Sequence, residues 1–257
     1  MNDLFDLTGR VALVTGSSRG IGFAIARAFA RRGARVVVSS RKADACERAR
    51  ASIEAEGGEA IAVPCNVTDK AALQTLVETA QTRLGPLDVL VCNAAANPYY
   101  GPLAGISDEA YDRTMNTNVR SNVWLCNLAI PGMAANGGGA VIILSSIAGI
   151  VGSRMLGTYA LSKAADAQLA RNLAVEWGHA NVRVNALAPG IIKTDFAKAL
   201  YDDPALYAAA VAQSPLGRLG EVEDVAGAAV YLAARAGAFV TGQTLVIDGG
   251  TTIAGFD

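Results

Sequence analysis

The sequence predicts one α/β domain, a doubly wound parallel sheet with helices on both faces. Three observations predict it. Short β-rich runs alternate with longer helical patterns along all 257 residues. Most of the short runs are continuously apolar, as parallel strands covered on both faces are. Glycines stand where the helices should stop. In such a sheet ligands bind at the carboxyl ends of the strands.

Val11–Thr15, Arg35–Ser40, Ala60–Pro64, Asp88–Cys92, Ala140–Ser145, Arg183–Leu187 and Thr244–Asp248 read as the strands. Between them, Ile21–Arg32 puts Ile21, Ile25, Ala28 and Phe29 on one helical stripe. Asp44–Glu56, Lys70–Leu84, Asn118–Ala135, Thr158–His179 and Glu221–Ala234 read as further helices. Gly33, Gly57-Gly58, Gly85-Pro86 and Gly137-Gly138-Gly139 punctuate them. No linker, repeat or low-complexity segment divides the chain, so residues 1–257 are expected to form a single domain.

Composition narrows the function classes. Hydrophobic residues make up 52% and aromatics 6%, which suits small helices packed closely on a sheet. A net charge of −1 gives no basic surface for nucleic acid or an acidic membrane. Cys46, Cys65, Cys92 and Cys126 are scattered singly and His179 is the one histidine, so no metal site is expected. Buried, reduced thiols are the expectation. The start MNDLFDLTGR lacks a basic, then apolar leader, and no run is long enough to span a membrane. A soluble, cytoplasmic protein is expected.

After the first strand comes Thr15-Gly16-Ser17-Ser18-Arg19-Gly20-Ile21-Gly22, leading into a helix. Glycines there permit a tight turn, close approach of backbone to a pyrophosphate, and an anion facing the helix N-terminus. Gly16, Ser18, Arg19, Gly20, Ile21 and Gly22 are therefore candidate cofactor contacts. The same stretch spells G-x-S-x-G, the nucleophile elbow of hydrolases, and Ser18…His179 runs in the right chain order. No HGGG-like loop precedes it and His179 falls at a helix end, so the dinucleotide reading is preferred. The second strand ends without the carboxylate that would bind a ribose 2′-hydroxyl, and Arg41-Lys42 follow. A 2′-phosphate would meet Arg19, Ser40 and Arg41, which favours NADP(H) over NAD(H).

Tyr159 and Lys163 stand four apart in TYALSKAADAQLA. A phenol normally ionises near pH ~10, and an ammonium one helical turn away favours the phenolate. Of seven tyrosines, only Tyr159 has a lysine at i+4. The pair suits a proton exchanged while a nicotinamide exchanges a hydride.

In order, TGSSRGIG (15–22), VCNAA (91–95), Asn118 in TMNTNVRSN, Ser145-Ser146, YALSK (159–163), NALAPG (185–190) and TGQTLVIDGG (241–250) resemble the short-chain dehydrogenase/reductase family from about Gly9 to Gly250. The resemblance implies a Rossmann-type fold and a catalytic set of Asn118, Ser146, Tyr159 and Lys163. Ser146 is chosen over Ser145 because the family's serine lies thirteen residues before the tyrosine. It also implies cofactor contacts at Asn66, Val67, Asn93, Ala94, Tyr159, Lys163, Pro189, Gly190, Ile192 and Thr194. Two departures stand out: Ala95 where glycine is usual, and Asn66 where aspartate is usual.

The NAAANP run (93–98), SSRK (39–42) and APGIIKT (188–194) are similar to the NADPH-dependent carbonyl reductase/retinol dehydrogenase branch, the dehydrogenase/reductase member 4 type. That implies a small, largely apolar ketone or aldehyde and its alcohol as substrates. The Val240–Gly250 stretch resembles family members that form tetramers, which implies a homotetramer, although its TLVIDGG reads equally as an inner strand closing the sheet within one chain. A substrate lid is expected at about 195–215, with Phe196, Leu200, Tyr201, Leu206, Tyr207, Met155 and Leu156 forming an apolar pocket or an ordinary packing helix. The rivals are a 3-oxoacyl carrier-protein reductase and a non-catalytic NADP(H) sensor. Against the first, PGMAANGGGA (131–140) carries no cation and Val175 stands where a docking arginine is expected. Against the second, all four catalytic positions are kept.

Overall fold

The computed structural model describes residues 3–194 and 202–254. Seven strands lie in one sheet: β1 (Val11–Thr15), β2 (Arg35–Ser39), β3 (Glu59–Ala62), β4 (Val89–Cys92), β5 (Gly139–Leu144), β6 (Val182–Pro189) and β7 (Thr244–Ile247). Their spatial order is β3-β2-β1-β4-β5-β6-β7, and every pairing is parallel. Helices fill the connections: α1 (Gly20–Arg31), α2 (Ala43–Ala55), α3 (Lys70–Leu84), α4 (Asp108–Met115), α5 (Ser121–Ala135), α6 (Gly157–Trp177), α7 (Pro204–Ala212) and α8 (Val222–Ala233).

The apolar runs of the sequence become strands because both their faces are covered. All five residues of β1 and all four of β4 are buried. One face packs α1, α2 and α8 against Ala12, Val14, Val36 and Val38. The other packs α3, α5 and α6 against Leu13, Leu90, Val141 and Val184. Alternate residues of β1 thus serve opposite layers, as the two-residue period of a strand requires. On α1, Ile25 and Phe29 are fully buried from the anticipated stripe. The chain runs β1-β2-β3 outward on one side and restarts at β4 on the other. The crevice between the carboxyl ends of β1 and β4 is the topological switch point.

One stretch departs from the sequence reading. The helix expected at Asn118–Ala135 begins earlier, because α4 precedes it and a five-residue π turn, Asn116–Arg120, joins α4 to α5. Ser107 caps α4, its Oγ accepting from the Ala110 amide at 3.2 Å, and Asp108 and Glu109 favour the positive helix start. In the expected lid, 195–201 and with them Phe196, Leu200 and Tyr201 lie outside the described residues. From Pro204 the segment is helical, with the Asp203 carboxylate accepting from the Ala205 and Leu206 amides. Leu206 and Tyr207 are exposed on it. Among the described residues no helix is long and apolar enough to cross a membrane.

Candidate active site

The glycine turn is tied to β4 by side chains of both strands. Thr15 Oγ1 donates to the Val91 carbonyl at 3.2 Å and accepts from the amides of Asn93 and Ala94 at 3.0 and 3.2 Å. Asn93 Nδ2 returns the tie, donating to the carbonyls of Thr15 (2.8 Å) and Gly16 (3.2 Å). Asn93, expected as a cofactor contact, therefore also fixes the turn that would receive the cofactor. Ser17 is buried and closes the other side: its Oγ donates to Val14 O and accepts from the Ser39 amide.

Two glycines are required by geometry. Gly16 has φ +66°, and a Cβ on it would meet Asn93 Nδ2 at 2.7 Å. On Gly22 a Cβ would lie 2.4 Å from the same nitrogen and 2.6 Å from Gly16 O. The loop after β6 closes on this turn, since a Cβ on Gly20 would stand 3.6 Å from Thr194 Cγ2. Ile192 is buried and bridged to Gly220, and the Gly190 amide donates to Ile247 O at 2.9 Å. Pro189, Gly190, Ile192 and Thr194 thus share the carboxyl end of the sheet with Gly16–Gly22. The turn fits a dinucleotide pyrophosphate: Gly16, Gly20 and Gly22 carry no side chain to hold an anion off, and the turn opens α1.

At the end of β2, Arg41 is exposed and forms no salt bridge among the described residues. Arg19 is likewise exposed on the turn. Ser40 Oγ lies 3.1 Å from Cys46 Sγ, so its hydroxyl is shared with α2. Asn66 is exposed and its Oδ1 accepts from the Thr68 hydroxyl at 3.1 Å, while Val67 beside it is buried.

The four residues of the implied catalytic set converge on α6. Ser145 and Ser146, adjacent in sequence, do different work. Ser145 is buried and its Oγ donates to the Lys163 carbonyl at 2.7 Å, fastening the end of β5 to α6. Ser146 is half-buried and caps the short turn Ile147–Gly149, its Oγ accepting from the Ala148 amide at 3.1 Å. A hydroxyl used as an acceptor keeps its proton to donate. That turn presses on α6, where a Cβ on Gly149 would lie 2.7 Å from the Ala164 nitrogen. Tyr159 is one helical turn earlier, with Lys163 Nζ 5.7 Å from the centre of its ring.

Asn118 is fully buried in the π turn. Its Oδ1 accepts from the Ala96 amide at 2.8 Å, and Nδ2 donates to Ala96 O and Ser162 Oγ at 3.0 and 2.9 Å. It ties the loop after β4 to α6.

Sequence reading missed two members of this cluster, Asp166 and Asn122. Lys163 is buried, and its ammonium donates to Leu144 O at 2.5 Å and Asp166 Oδ2 at 2.9 Å. Asp166 is also buried, its Oδ1 accepting from Asn122 Nδ2 at 2.9 Å. Burial works against the charge on Lys163, yet the Asp166 carboxylate and the Tyr159 phenol outweigh it and hold the ammonium above the usual lysine range. Burial pushes the Asp166 carboxyl up, opposed by Lys163 and Asn122. The available signal was an acid at i+3 from the lysine in SKAAD. The elbow reading fails on geometry: Ser18 follows the carboxyl end of β1, whereas His179 lies in the turn Gly178–Ala180 that leads into the amino end of β6.

Residues 16–252 match the family model described as enoyl-(acyl carrier protein) reductase. The chain is 41% identical over 245 residues to dehydrogenase/reductase SDR family member 4 of Bos taurus, covering 95% of this chain and 88% of the relative. It belongs to the short-chain dehydrogenase/reductase family of oxidoreductases. The human member 4 is likewise 41% identical over 95% of this chain and 88% of its own length. Among solved structures, a gluconate 5-dehydrogenase from Burkholderia cenocepacia in complex with NADP and tartrate superposes with TM-score 0.94 at 32% identity, over 98% of this chain and 99% of that one. A 7α-hydroxysteroid dehydrogenase complexed with NADH and a 7-oxo bile acid superposes with TM-score 0.93 at 37% identity, over 97% of each chain.

Proposed function

We propose that the protein is an NADP(H)-dependent reductase/dehydrogenase interconverting a small, largely apolar ketone or aldehyde and its alcohol. The observation that carries the reading is the meeting of Tyr159, Lys163 and the Ser146 turn on one stretch of α6, at the ligand-binding end of the sheet. When bound, the nicotinamide supplies or takes the hydride. Tyr159 gives or takes the proton at the substrate oxygen. Ser146 donates a hydrogen bond to the same oxygen, where negative charge develops. The Lys163 ammonium, 5.7 Å from the centre of the Tyr159 ring, puts a positive charge beside the proton-transfer site. Gly16–Gly22 hold the pyrophosphate, and the backbone at Ile192 with the hydroxyl of Thr194 hold the carboxamide. Ala94, Asn66 and Val67 line the adenosine side.

Arg41 supports the phosphorylated cofactor, as an exposed cation with no acidic partner among the described residues, at the strand end where a 2′-phosphate would lie. A free substrate is favoured over a carrier-bound one because Val175, at the expected docking position, is 87% exposed and uncharged. A homotetramer accounts for the apolar side chains left in solvent near the last strand, Phe239, Leu245, Val246 and Ile253.

Tyr159→Phe is expected to abolish NADPH-dependent reduction across a panel of ketones while leaving NADPH affinity nearly intact. Activity like that of the wild type would remove Tyr159 as the acid. Ser146→Ala should lower turnover about 10²-fold or more, whereas Ser145→Ala should chiefly lower the melting temperature. The reverse order would mean that Ser145 is the donor. Titrations of Arg41→Ala should show NADPH affinity falling far more than NADH affinity, and equal losses would end the case for the phosphate site. Light scattering should give four times the chain mass; a monomer would exclude the tetramer.

A further inference from the structure

Asp166 takes no part in the catalytic set just described, yet it forms the buried ion pair of the site. The Lys163 and Asp166 side chains are 3% and 0% exposed. An ammonium has three donors, and two are committed, to Leu144 O and to Asp166 Oδ2. The carboxylate is itself held: Asn122 Nδ2 donates to its Oδ1 at 2.9 Å and to Asn118 O at 2.6 Å. The network runs from the π turn through α5 to α6, behind the proton-donating pair. Asn122 and Asp166 are thus oriented by the same turn that places Asn118.

We propose that Asp166, held by Asn122, is a positioning residue that fixes both the place and the protonation of the Lys163 ammonium. The proposal rests on the reading of Tyr159 and Lys163 as the proton-transfer pair. The charged and titratable groups facing the ammonium are Asp166 and Tyr159 on α6 and Cys92 on β4, with Cys126 of α5 at 4.0 Å from Cys92. Its hydrogen bond with Cys126, and burial, push the Cys92 thiol well above its usual range, so it remains uncharged. Asp166 is the acid bonded to the ammonium, and the attraction between the two offsets their burial. One of the three ammonium donors is left over.

Without the carboxylate the buried ammonium loses the charge that offsets its burial and sheds its proton at lower pH. Carbonyl reduction that needs the ammonium then loses its alkaline limb at lower pH. Asp166→Asn should shift that limb in kcat/KM down by about one pH unit or more, and Asp166→Glu should restore it towards the wild-type position. The ¹³Cε resonance of Lys163 should titrate at lower pH in Asp166→Asn than in the wild type. A folded, NADPH-binding Asp166→Asn enzyme with the wild-type limb would overturn the proposal, as would an unmoved Lys163 titration. If Lys163→Met itself keeps full activity, the proton-transfer reading falls as well; if it is inactive and the Asp166→Asn limb is unmoved, only the role of Asp166 falls. Should Asp166→Asn fail to fold, the ¹³Cε resonance of Lys163 in the wild-type protein decides. Titration above the exposed lysines supports the carboxylate as counter-ion, and titration below them overturns it.

Discussion

The reversal of strand order between β1 and β4 is the constraint on which the site depends. Neighbouring parallel strands send their chains to opposite faces there, so a crevice opens at their carboxyl ends. Left alone, such a crevice would be lined by unpaired backbone. Thr15 and Asn93 prevent that by exchanging hydrogen bonds across the divide, each satisfying groups of the other's strand. Because the Asn93 amide occupies the space beside Gly16 and Gly22, neither can carry a side chain without displacing it. The glycine turn is therefore shaped from behind by β4, and its free side is the one left for an anion.

A second layer of placement comes from α6. Ser145 fastens the end of β5 to the Lys163 carbonyl, Asn118 fastens the loop after β4 to Ser162, and Lys163 itself fastens to Leu144 O. Two separate connections of the chain, the end of β5 and the turn that carries Asn118, thus converge through three hydrogen bonds on one stretch of one helix. Such over-determination suits the proposed function, in which the Tyr159 and Ser146 donors must be held within a small tolerance. It also explains why adjacent serines diverge in role. The residue pointing into the layer is consumed as a clamp, and the next, facing the crevice, is available to a ligand.

The strands were legible because their covering on two faces leaves no choice of residue: β1 is read as Val11–Thr15 and found there. The helix α4 was not, since only Thr114 of it is buried and an exposed helix carries no apolar period. Its cap, Ser107 followed by two acids, was the legible sign. Asn118 was legible by resemblance, but not that a π turn would carry it, because that turn is held by tertiary bonds to Ala96 and Ser162 rather than by local preference. The expected adenine and phosphate contacts are placed at the strand ends, although Ser40 and Asn66 were read without the neighbours that share their polar atoms, Cys46 and Thr68.

Asp166 shows why a spacing rule alone could not complete the site. A carboxylate three residues beyond a lysine on a helix is ordinarily a solvated surface pair contributing a few tenths of a kcal/mol. Here both side chains are sealed behind β4, β5 and α5, and losing one partner would leave a charge in the interior at a cost of about 3–5 kcal/mol. The same two residue types at the same spacing therefore differ by an order of magnitude in consequence, and only burial distinguishes them. Burial is a property of what packs on the helix, which the local sequence does not state. A lysine used for its charge must be kept charged once it is removed from water, and in this protein the means of doing so lies on the turn of α6 beyond it.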